Sequence, residues 1–197
     1  MLANDQVIED ADFLTNQQKE IIKKDTLNAN FPWYWNSHQV KGDKAGYFAH
    51  HLVVRPEESV DNTPRKNSTA FNFYKTILDT WCTKHNIEYE EILRMSINCV
   101  FPRLKPKCNI HTDHDFPHTQ LIVYLTDSPT SRTVLLDTEG NIFQEIKPVQ
   151  FKGVSFPKIN HYLKLPTQDG RRIVVVYTFR TLKQINEENI LNQRSDV

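Results

Sequence analysis

The residues most able to do chemistry lie between positions 109 and 118, in the segment NIHTDHDFPH. His111 and Asp113 are two residues apart, so on an extended chain their side chains point to the same side. An imidazole and a carboxylate that converge in this way supply two ligands of a metal site. The third must come from elsewhere, and His161 is the one histidine downstream of the segment. Enough chain separates it from Asp113 for several strands to return it alongside.

This set of residue types is open to three interpretations. Two histidines and one carboxylate on one face leave open positions on an iron(II) centre for a substrate and oxygen. A zinc hydrolase would instead arrange His111, Asp113, His114 and Asp115 around one or two ions, although the paired histidines that usually begin a two-metal motif are absent. A polar loop that binds no metal is the third, because H-x-D is a short pattern. His114 and Asp115 alternate out of phase with the first pair, which predicts that they face outward.

A second candidate group is Arg171, ten residues after the distal histidine and at the start of the apolar run RRIVVVYTF. On a strand, Ile173, Val175 and Tyr177 share its side, which predicts that the guanidinium points into the core. A buried guanidinium needs an anion, and the far carboxylate of a dicarboxylic cosubstrate would bind it through two hydrogen bonds. The alternative is that Arg171 and Arg172 form the basic end of a surface hairpin after TQDG.

The composition is that of a globular protein, with 197 residues, 39% of them hydrophobic and 24% charged, and a formal net charge of zero. The length suits one domain with a real core. The balanced charge argues against a nucleic-acid partner, and no apolar run is long enough to span a membrane. Three cysteines without C-x-x-C spacing, and a start that lacks the pattern of a secretory signal, predict reduced thiols in a cytoplasmic protein.

The elements that must position these groups fall into two parts. Residues 1–94 contain the predicted helices: a capping-box pattern at Thr15 begins one, and FNFYKTILDTWC carries an apolar stripe at helical spacing. Over residues 95–182 short strand-like runs alternate with turn sequences, which predicts an antiparallel sandwich or barrel. We expect one mainly β domain over 1–182, followed by a polar tail at 183–197.

Taken in order, these motifs resemble the iron(II)- and 2-oxoglutarate-dependent oxygenases, and within them the prolyl-4-hydroxylase-like branch with its small phage and bacterial members. The likeness covers about residues 95–180. Its motifs are a strand ending in proline (INCVFP), the H-x-D at 111–113, a strand ending in Tyr-Leu (LIVYL), the run SRTVLL, the run from Pro148 to GVSF, the distal His161 and finally Arg171.

The resemblance implies a double-stranded β-helix, or jelly roll, with supporting N-terminal helices. It implies three iron(II) ligands: His111, Asp113 and His161. It implies three contacts for the cosubstrate 2-oxoglutarate: Arg171, Tyr124 and Thr133. The implied reaction uses O2 to hydroxylate a C–H bond, of a peptidyl residue or a small molecule, with release of succinate and CO2.

The sequence also departs from related patterns. The alkylated-base repair branch carries two arginines six apart on its last strand, and their absence here, with the neutral charge, argues against base repair. Phe101 stands where some relatives have a tyrosine, so we expect one cosubstrate hydrogen bond of the family to be absent. Two other classes stay open, a zinc-dependent hydrolase and a non-enzymatic β-sandwich binding module. The sequence does not indicate an oligomeric state.

Overall fold

A computed structural model of the chain describes residues 7–40, 42, 46–103, 107–167 and 170–187. The helices are α1 (Asn16–Ile21), which continues as a π-helical turn over Ile22–Thr26, a 3-10 helix over Pro56–Glu58, and α2 (Phe71–Lys84). Residues 182–187, after the last strand, are also helical. The strands in this part of the chain are β1 (Ile8–Asp10), β2 (Tyr34–Asn36), β3 (Tyr47–Val54), β4 (Arg65–Lys66), β5 (Tyr89–Val100), β6 (Thr119–Tyr124), β7 (Arg132–Leu136), β8 (Ile142–Ile146), β9 (Gly153–Pro157), β10 (His161–Lys164) and β11 (Arg172–Thr181).

The strands form two antiparallel sheets. The larger has the order β1-β9-β6-β11-β5-β3-β2, with β4 paired to β3, and the smaller has the order β10-β7-β8. Side chains from both sheets pack in one apolar core, among them Ile122, Leu135, Phe156 and Val174. Two antiparallel sheets that face each other across a shared core form a jelly roll, so the predicted fold class is confirmed.

The other face of the larger sheet is covered by α2. The apolar stripe of this helix, which includes Tyr74, Ile77, Leu78 and Trp81, is buried in one core with side chains of β5, β6 and β11. Gly153 on β9 makes room for the helix, because a Cβ at this position would lie 2.4 Å from the Trp81 ring. The central strands are therefore buried on both faces, by α2 on one side and by the smaller sheet on the other.

The first helix begins where its capping-box pattern predicts. Thr15 Oγ1 accepts a hydrogen bond from the backbone N–H of Gln18 at 3.1 Å, and Gln18 Oε1 accepts one from the backbone N–H of Thr15 at 3.0 Å. Gln18 Nε2 also donates to Thr80 Oγ1 of α2 at 2.9 Å. The cap of one helix thus fixes its position against the other.

The expected division at residue 95 falls inside a strand. β5 begins at Tyr89, and β1 and β3, which lie in the N-terminal part, belong to the larger sheet. Strand pairing joins the two parts because β3 lies beside β5 and β1 beside β9. The limits of the domain at 1–182 stay a prediction, and residues 188–197 of the expected tail lie outside the described part of the chain. None of the described helices combines the length and apolar character needed to cross a membrane.

Candidate metal centre and cosubstrate pocket

His111, Asp113 and His161 come together in the folded chain. One ligand atom from each side chain lies within 4.8 Å of the others. Backbone pairing brings the two histidines together, since His111 N–H donates to the His161 carbonyl at 3.0 Å and His161 N–H donates to the His111 carbonyl at 2.9 Å. These two backbone hydrogen bonds hold the start of strand β10, and with it the distal histidine, beside the H-x-D segment.

Each histidine is fixed in the tautomer that a metal requires. Nδ1 of His111 lies 3.0 Å from the carbonyl of Asn109, and Nδ1 of His161 lies 2.9 Å from the carbonyl of Ile159. A carbonyl only accepts, so each Nδ1 carries the proton and each Nε2 keeps a lone pair for a metal. Burial lowers the pKa of His161 to about 4, which keeps its ring neutral at pH 7.

Two arginines orient Asp113. Its Oδ1 accepts hydrogen bonds from Arg55 Nη2 and from Arg94 Nη1, both at 2.8 Å, while Arg55 Nη1 donates to its backbone carbonyl at 3.1 Å. Burial by itself raises the pKa of Asp113, but Arg55 and Arg94 outweigh it and hold that pKa well below its usual range. The carboxylate is therefore ionised, and Oδ2, 3.6 Å from His161 Nε2, stays available to a metal.

A cavity of about 80 Å³ opens at this group, and we call it the inner cavity. Strands of both sheets line it, and the apolar part of its wall comes mainly from Ile122, Val174 and Val176. Arg172 lies at 5% exposure in the same wall. The metal-ligand group and a buried cation thus share one enclosed space between the sheets.

The Arg172 guanidinium has no acidic partner among the described residues. Its Nη2 donates to Thr133 Oγ1 at 2.9 Å, its Nε has no hydrogen-bond partner, and its carbon lies 5.4 Å from the centre of the Tyr124 ring. Burial lowers the pKa of Arg172, yet a guanidinium stays protonated in proteins. A buried cation of this kind fits the carboxylate of a bound ligand.

The expectation that Arg171 points into the core is wrong. Arg171 is exposed and does not line the inner cavity, whereas Arg172, Val174 and Val176 do. Both faces of β11 are apolar and buried, so the alternation from which the phase of a strand is read is missing. The side chain that faces the cavity is one residue further along the chain than predicted, at Arg172.

The other two predicted cosubstrate contacts lie beside Arg172. Thr133 lines the inner cavity, and its Oγ1 accepts from Arg172. Tyr124 is fully buried behind it, with its hydroxyl 2.8 Å from Thr133 Oγ1. Tyr124 therefore does not line the inner cavity, and it contacts the cavity wall through Thr133 and Arg172.

The expectation that His114 faces outward is also wrong. His114 is 3% exposed, with Nδ1 2.7 Å from Glu57 Oε1 and Nε2 2.8 Å from Thr178 Oγ1. The segment that carries it is a loop, so the alternation of an extended strand does not apply. Asp115 is exposed, as expected. Neither residue joins the described metal-ligand group, so the four-ligand zinc arrangement is not favoured.

Arg55 and Arg94 are the functional candidates that sequence reasoning missed. Arg94 sits within the apolar strand β5, in ILRMSIN, and a charged residue at such a position signals a buried partner. Arg55 follows β3 and carries no such signal, because its partner lies 58 residues further along the chain. The pairing of both with Asp113 depends on the three-dimensional fold.

No protein-family model matches the sequence, and no curated protein sequence matches it. Solved structures do match. An oxidoreductase of the 2OG-Fe(II) oxygenase family from Burkholderia pseudomallei has a TM-score of 0.69 at 12% identity, covering 89% of this chain and 85% of its own. A Trichoplax adhaerens prolyl hydroxylase, solved with a peptide fragment of the hypoxia inducible factor oxygen degradation domain, has a TM-score of 0.63 at 13% identity, covering 92% and 86%.

A Pseudomonas putida prolyl-4-hydroxylase matches with a TM-score of 0.54 at 13% identity, covering 89% of this chain and 92% of its own. All three likenesses extend over most of both chains while the sequences have diverged. Such likenesses establish the fold. The chain has the jelly-roll fold of the 2OG-Fe(II) oxygenases.

Proposed function

We propose that this protein is an iron(II)- and 2-oxoglutarate-dependent dioxygenase that hydroxylates a C–H bond. The observation that carries the proposal is that an open His-Asp-His group and a buried arginine without an acidic partner share one cavity. The triad suits iron(II), and the arginine suits the far end of a dicarboxylate. Together they fit a cosubstrate that bridges metal and guanidinium.

In this proposal Nε2 of His111, Oδ2 of Asp113 and Nε2 of His161 hold iron(II). Arg172, supported by Thr133 and by Tyr124 behind it, binds the far carboxylate of 2-oxoglutarate. When bound, iron(II) and 2-oxoglutarate supply the oxidising chemistry, which consumes O2 and yields succinate, CO2 and a hydroxylated product.

The chain itself positions and shields these groups. The carbonyls of Asn109 and Ile159 fix the ring orientation of the two histidines through Nδ1. The paired arginines keep Asp113 ionised with one oxygen directed at the metal position. Valine and isoleucine side chains on β6 and β11 exclude water from the wall of the inner cavity, which strengthens electrostatic interactions there.

The substrate class follows less directly from these residues. The Trichoplax adhaerens neighbour was solved with a peptide, and this supports a peptidyl substrate by analogy of fold alone. A small molecule fits the same site equally well. We further propose a reducing, cytoplasmic setting, since Cys82, Cys99 and Cys108 are buried and form no disulfide among the described residues.

The test is an anaerobic titration of the metal-free protein with iron(II) and then 2-oxoglutarate, followed by the visible charge-transfer band of the chelate. We expect the band in the parent, its loss in His161→Ala, and a much weaker affinity for 2-oxoglutarate in Arg172→Ala. Arg171→Ala is the matched control and should behave as the parent. Absence of the band, with tight zinc uptake that depends on His114, would contradict the proposal and favour a zinc enzyme.

A further inference from the structure

A second cavity, which we call the outer cavity, adjoins the inner cavity and has a volume of about 460 Å³. Six residues line both cavities: Gln39, Val40, Tyr47, Arg55, Arg94 and His111. A molecule in the outer cavity would therefore reach the metal-ligand group past His111 and the two arginines. This position suits the molecule to be oxidised, as distinct from the cosubstrate.

The two arginines have donors to spare. The Arg94 side chain is 8% exposed, and its one hydrogen bond to a described residue runs from Nη1 to Asp113 Oδ1. A guanidinium carries five N–H donors in a fixed plane. Arg55 likewise uses only its two terminal nitrogens, both on Asp113. Both side chains thus line the cavities with N–H groups that have no acceptor among the described residues.

Among the described residues, Arg55 and Arg94 have one ion-pair partner between them, the Asp113 carboxylate. Glu58 is the acidic residue among the described lining of the outer cavity. It forms no ion pair with either arginine, although its charge acts on Arg55. Two guanidiniums that share one carboxylate keep donors that suit an anion.

Two further residues suit a polar molecule in the same space. Gln39 Oε1 is buried without a hydrogen-bond partner and lines both cavities, so its amide is available to a ligand. Trp35 lines the outer cavity and is 62% exposed. Its ring nevertheless packs edge to face against the ring of Phe48, with 5.3 Å between the ring centres. Gly46 packs against the same ring, since a Cβ there would lie 2.3 Å from it. The indole is a fixed apolar surface at the rim.

We propose that the outer cavity binds the substrate through an anionic group, a carboxylate or a phosphate, at the unpaired N–H groups of Arg55 and Arg94. Gln39 binds a neighbouring polar atom of the same molecule, and Trp35 covers its apolar part. The inference rests on the proposed function in one respect, that the molecule bound here is the one oxidised. The anion site itself depends only on residues of the outer cavity.

The experiment is calorimetric titration of the protein loaded anaerobically with iron(II) and 2-oxoglutarate, so that Arg172 is already occupied. The probes are the α-amides of N-acetylaspartate and N-acetyl-O-phosphoserine, in which only the side chain is anionic, and the neutral α-amide of N-acetylasparagine. We expect at least one anion to bind about tenfold tighter than the neutral probe, because hydrogen bonds to charged groups exceed neutral ones by this order. The tighter of the two anions identifies carboxylate or phosphate as the recognised group.

Two variants test the residues. Arg94→Gln should lose the preference for anions, and so should Gln39→Glu, in which the new carboxylate competes for the arginines while the chelate band persists. Gln39 is only half-buried, so this variant decides the matter if Arg94→Gln fails to fold. Arg171→Gln, an exposed arginine outside both cavities, is the control and should keep the preference. Equal binding of the three probes, or a preference unchanged in Gln39→Glu, would overturn the proposal.

The two proposals fail separately. The same titrations are repeated on metal-free Arg172→Ala protein, which lacks the cosubstrate arginine. If the chelate band forms but no anion preference exists, the oxygenase stands and the anion site is wrong. If no band forms but the metal-free protein prefers anions and loses this preference in Gln39→Glu, the anion site stands without the oxygenase chemistry.

Discussion

Asp113 is the residue on which the charges of the site depend. It is the one acidic partner of Arg55 and Arg94 among the described residues, and its side chain is 2% exposed. Without it the buried Arg94 and the partly buried Arg55 both lose their ion-pair partner. Its role in the metal-free protein is therefore structural, in addition to any role as a metal ligand.

We predict that Asp113→Asn lowers the free energy of unfolding of the metal-free protein by about 3–5 kcal/mol, the usual cost of breaking a buried ion pair. Asp115→Asn is the control, because Asp115 is exposed in the same loop and should change stability by less than about 0.5 kcal/mol. Urea unfolding of the metal-free proteins measures both. Similar effects of the two substitutions would mean that the arginines find other partners or water.

Acid should destabilise the protein through His118. This side chain is 1% exposed, and burial lowers its pKa from 6.5 to about 4. The unfolded chain thus binds a proton that the folded chain does not, so stability that is complete above pH 6.5 is lost as the pH falls toward 4. One histidine contributes at most about 3 kcal/mol to this loss. Urea unfolding of the metal-free protein at a series of pH values measures it.

His118→Gln should make that dependence less steep by the share of one histidine, while His51 and His161, whose pKa values burial also lowers to about 4, keep the rest. Glutamine can still donate to the Phe116 carbonyl that His118 Nδ1 contacts at 2.9 Å. His38→Gln, at an exposed position, should leave it unchanged. An equally steep loss of stability in His118→Gln would assign the acid sensitivity to other groups.

At the scale of the elements, the position of α2 on the larger sheet depends on a glycine. Gly153 lies under Trp81, and a Cβ would stand 2.4 Å from that ring and 2.9 Å from the ring of Phe13. The two rings pack edge to face at 4.9 Å, so neither can move without disturbing the other. Strand β9 therefore accepts the helix only because it has no side chain there.

We predict that Gly153→Ala lowers the free energy of unfolding by about 1–3 kcal/mol, the range of overpacked cores. Gly140→Ala is the matched control. It has open space around its Cα but a φ of +86°, so its cost is backbone strain of about 1 kcal/mol. Denaturant unfolding measures both free energies. A Gly153→Ala protein as stable as the parent would mean that α2 shifts freely on the sheet.

At the scale of the whole molecule, some features could be predicted from the sequence and others could not. The capping box at Thr15 and the apolar stripe of α2 are local patterns, and they indicated their helices directly. The short strands with turn chemistry between them indicated an antiparallel sandwich or barrel, and the resemblance to the oxygenases implied a jelly roll, which the fold confirms. The H-x-D spacing and a single downstream histidine were enough to nominate the three residues that the fold brings together.

The features that could not be predicted depend on a strand that is buried on both faces, or on contacts between residues that lie far apart in the sequence. β11 is apolar on both faces, so the sequence could not tell whether Arg171 or Arg172 faces the cavity. Arg55 reaches Asp113 across 58 positions of sequence, and only the pairing of β3 with β5 places it there. His114 lies in a loop, where the period of a strand gives no information about direction.

The same buried charges that suit a ligand should limit the stability of the metal-free molecule. Arg172 is buried with no acidic partner among the described residues, and natural proteins carry such costs where a site needs them. We predict that Arg172→Met raises the thermal midpoint of the metal-free protein, by the equivalent of about 1–4 kcal/mol. Thr133 and Tyr124 keep their mutual hydrogen bond in this variant, so no new polar group is left unpaired.

Binding of iron(II) and 2-oxoglutarate should reverse the order, so that the parent becomes more stable than Arg172→Met. In the parent, iron(II) and 2-oxoglutarate at about 100 times the dissociation constant should add about 2.7 kcal/mol, whereas Arg172→Met should gain little from 2-oxoglutarate. Anaerobic thermal unfolding with and without 2-oxoglutarate measures both effects, and Arg171→Met, at the exposed neighbour, should follow the parent in each. If Arg172→Met is instead less stable than the parent without ligand, the guanidinium supports the fold, and its lack of an acidic partner is no longer an argument for a bound carboxylate.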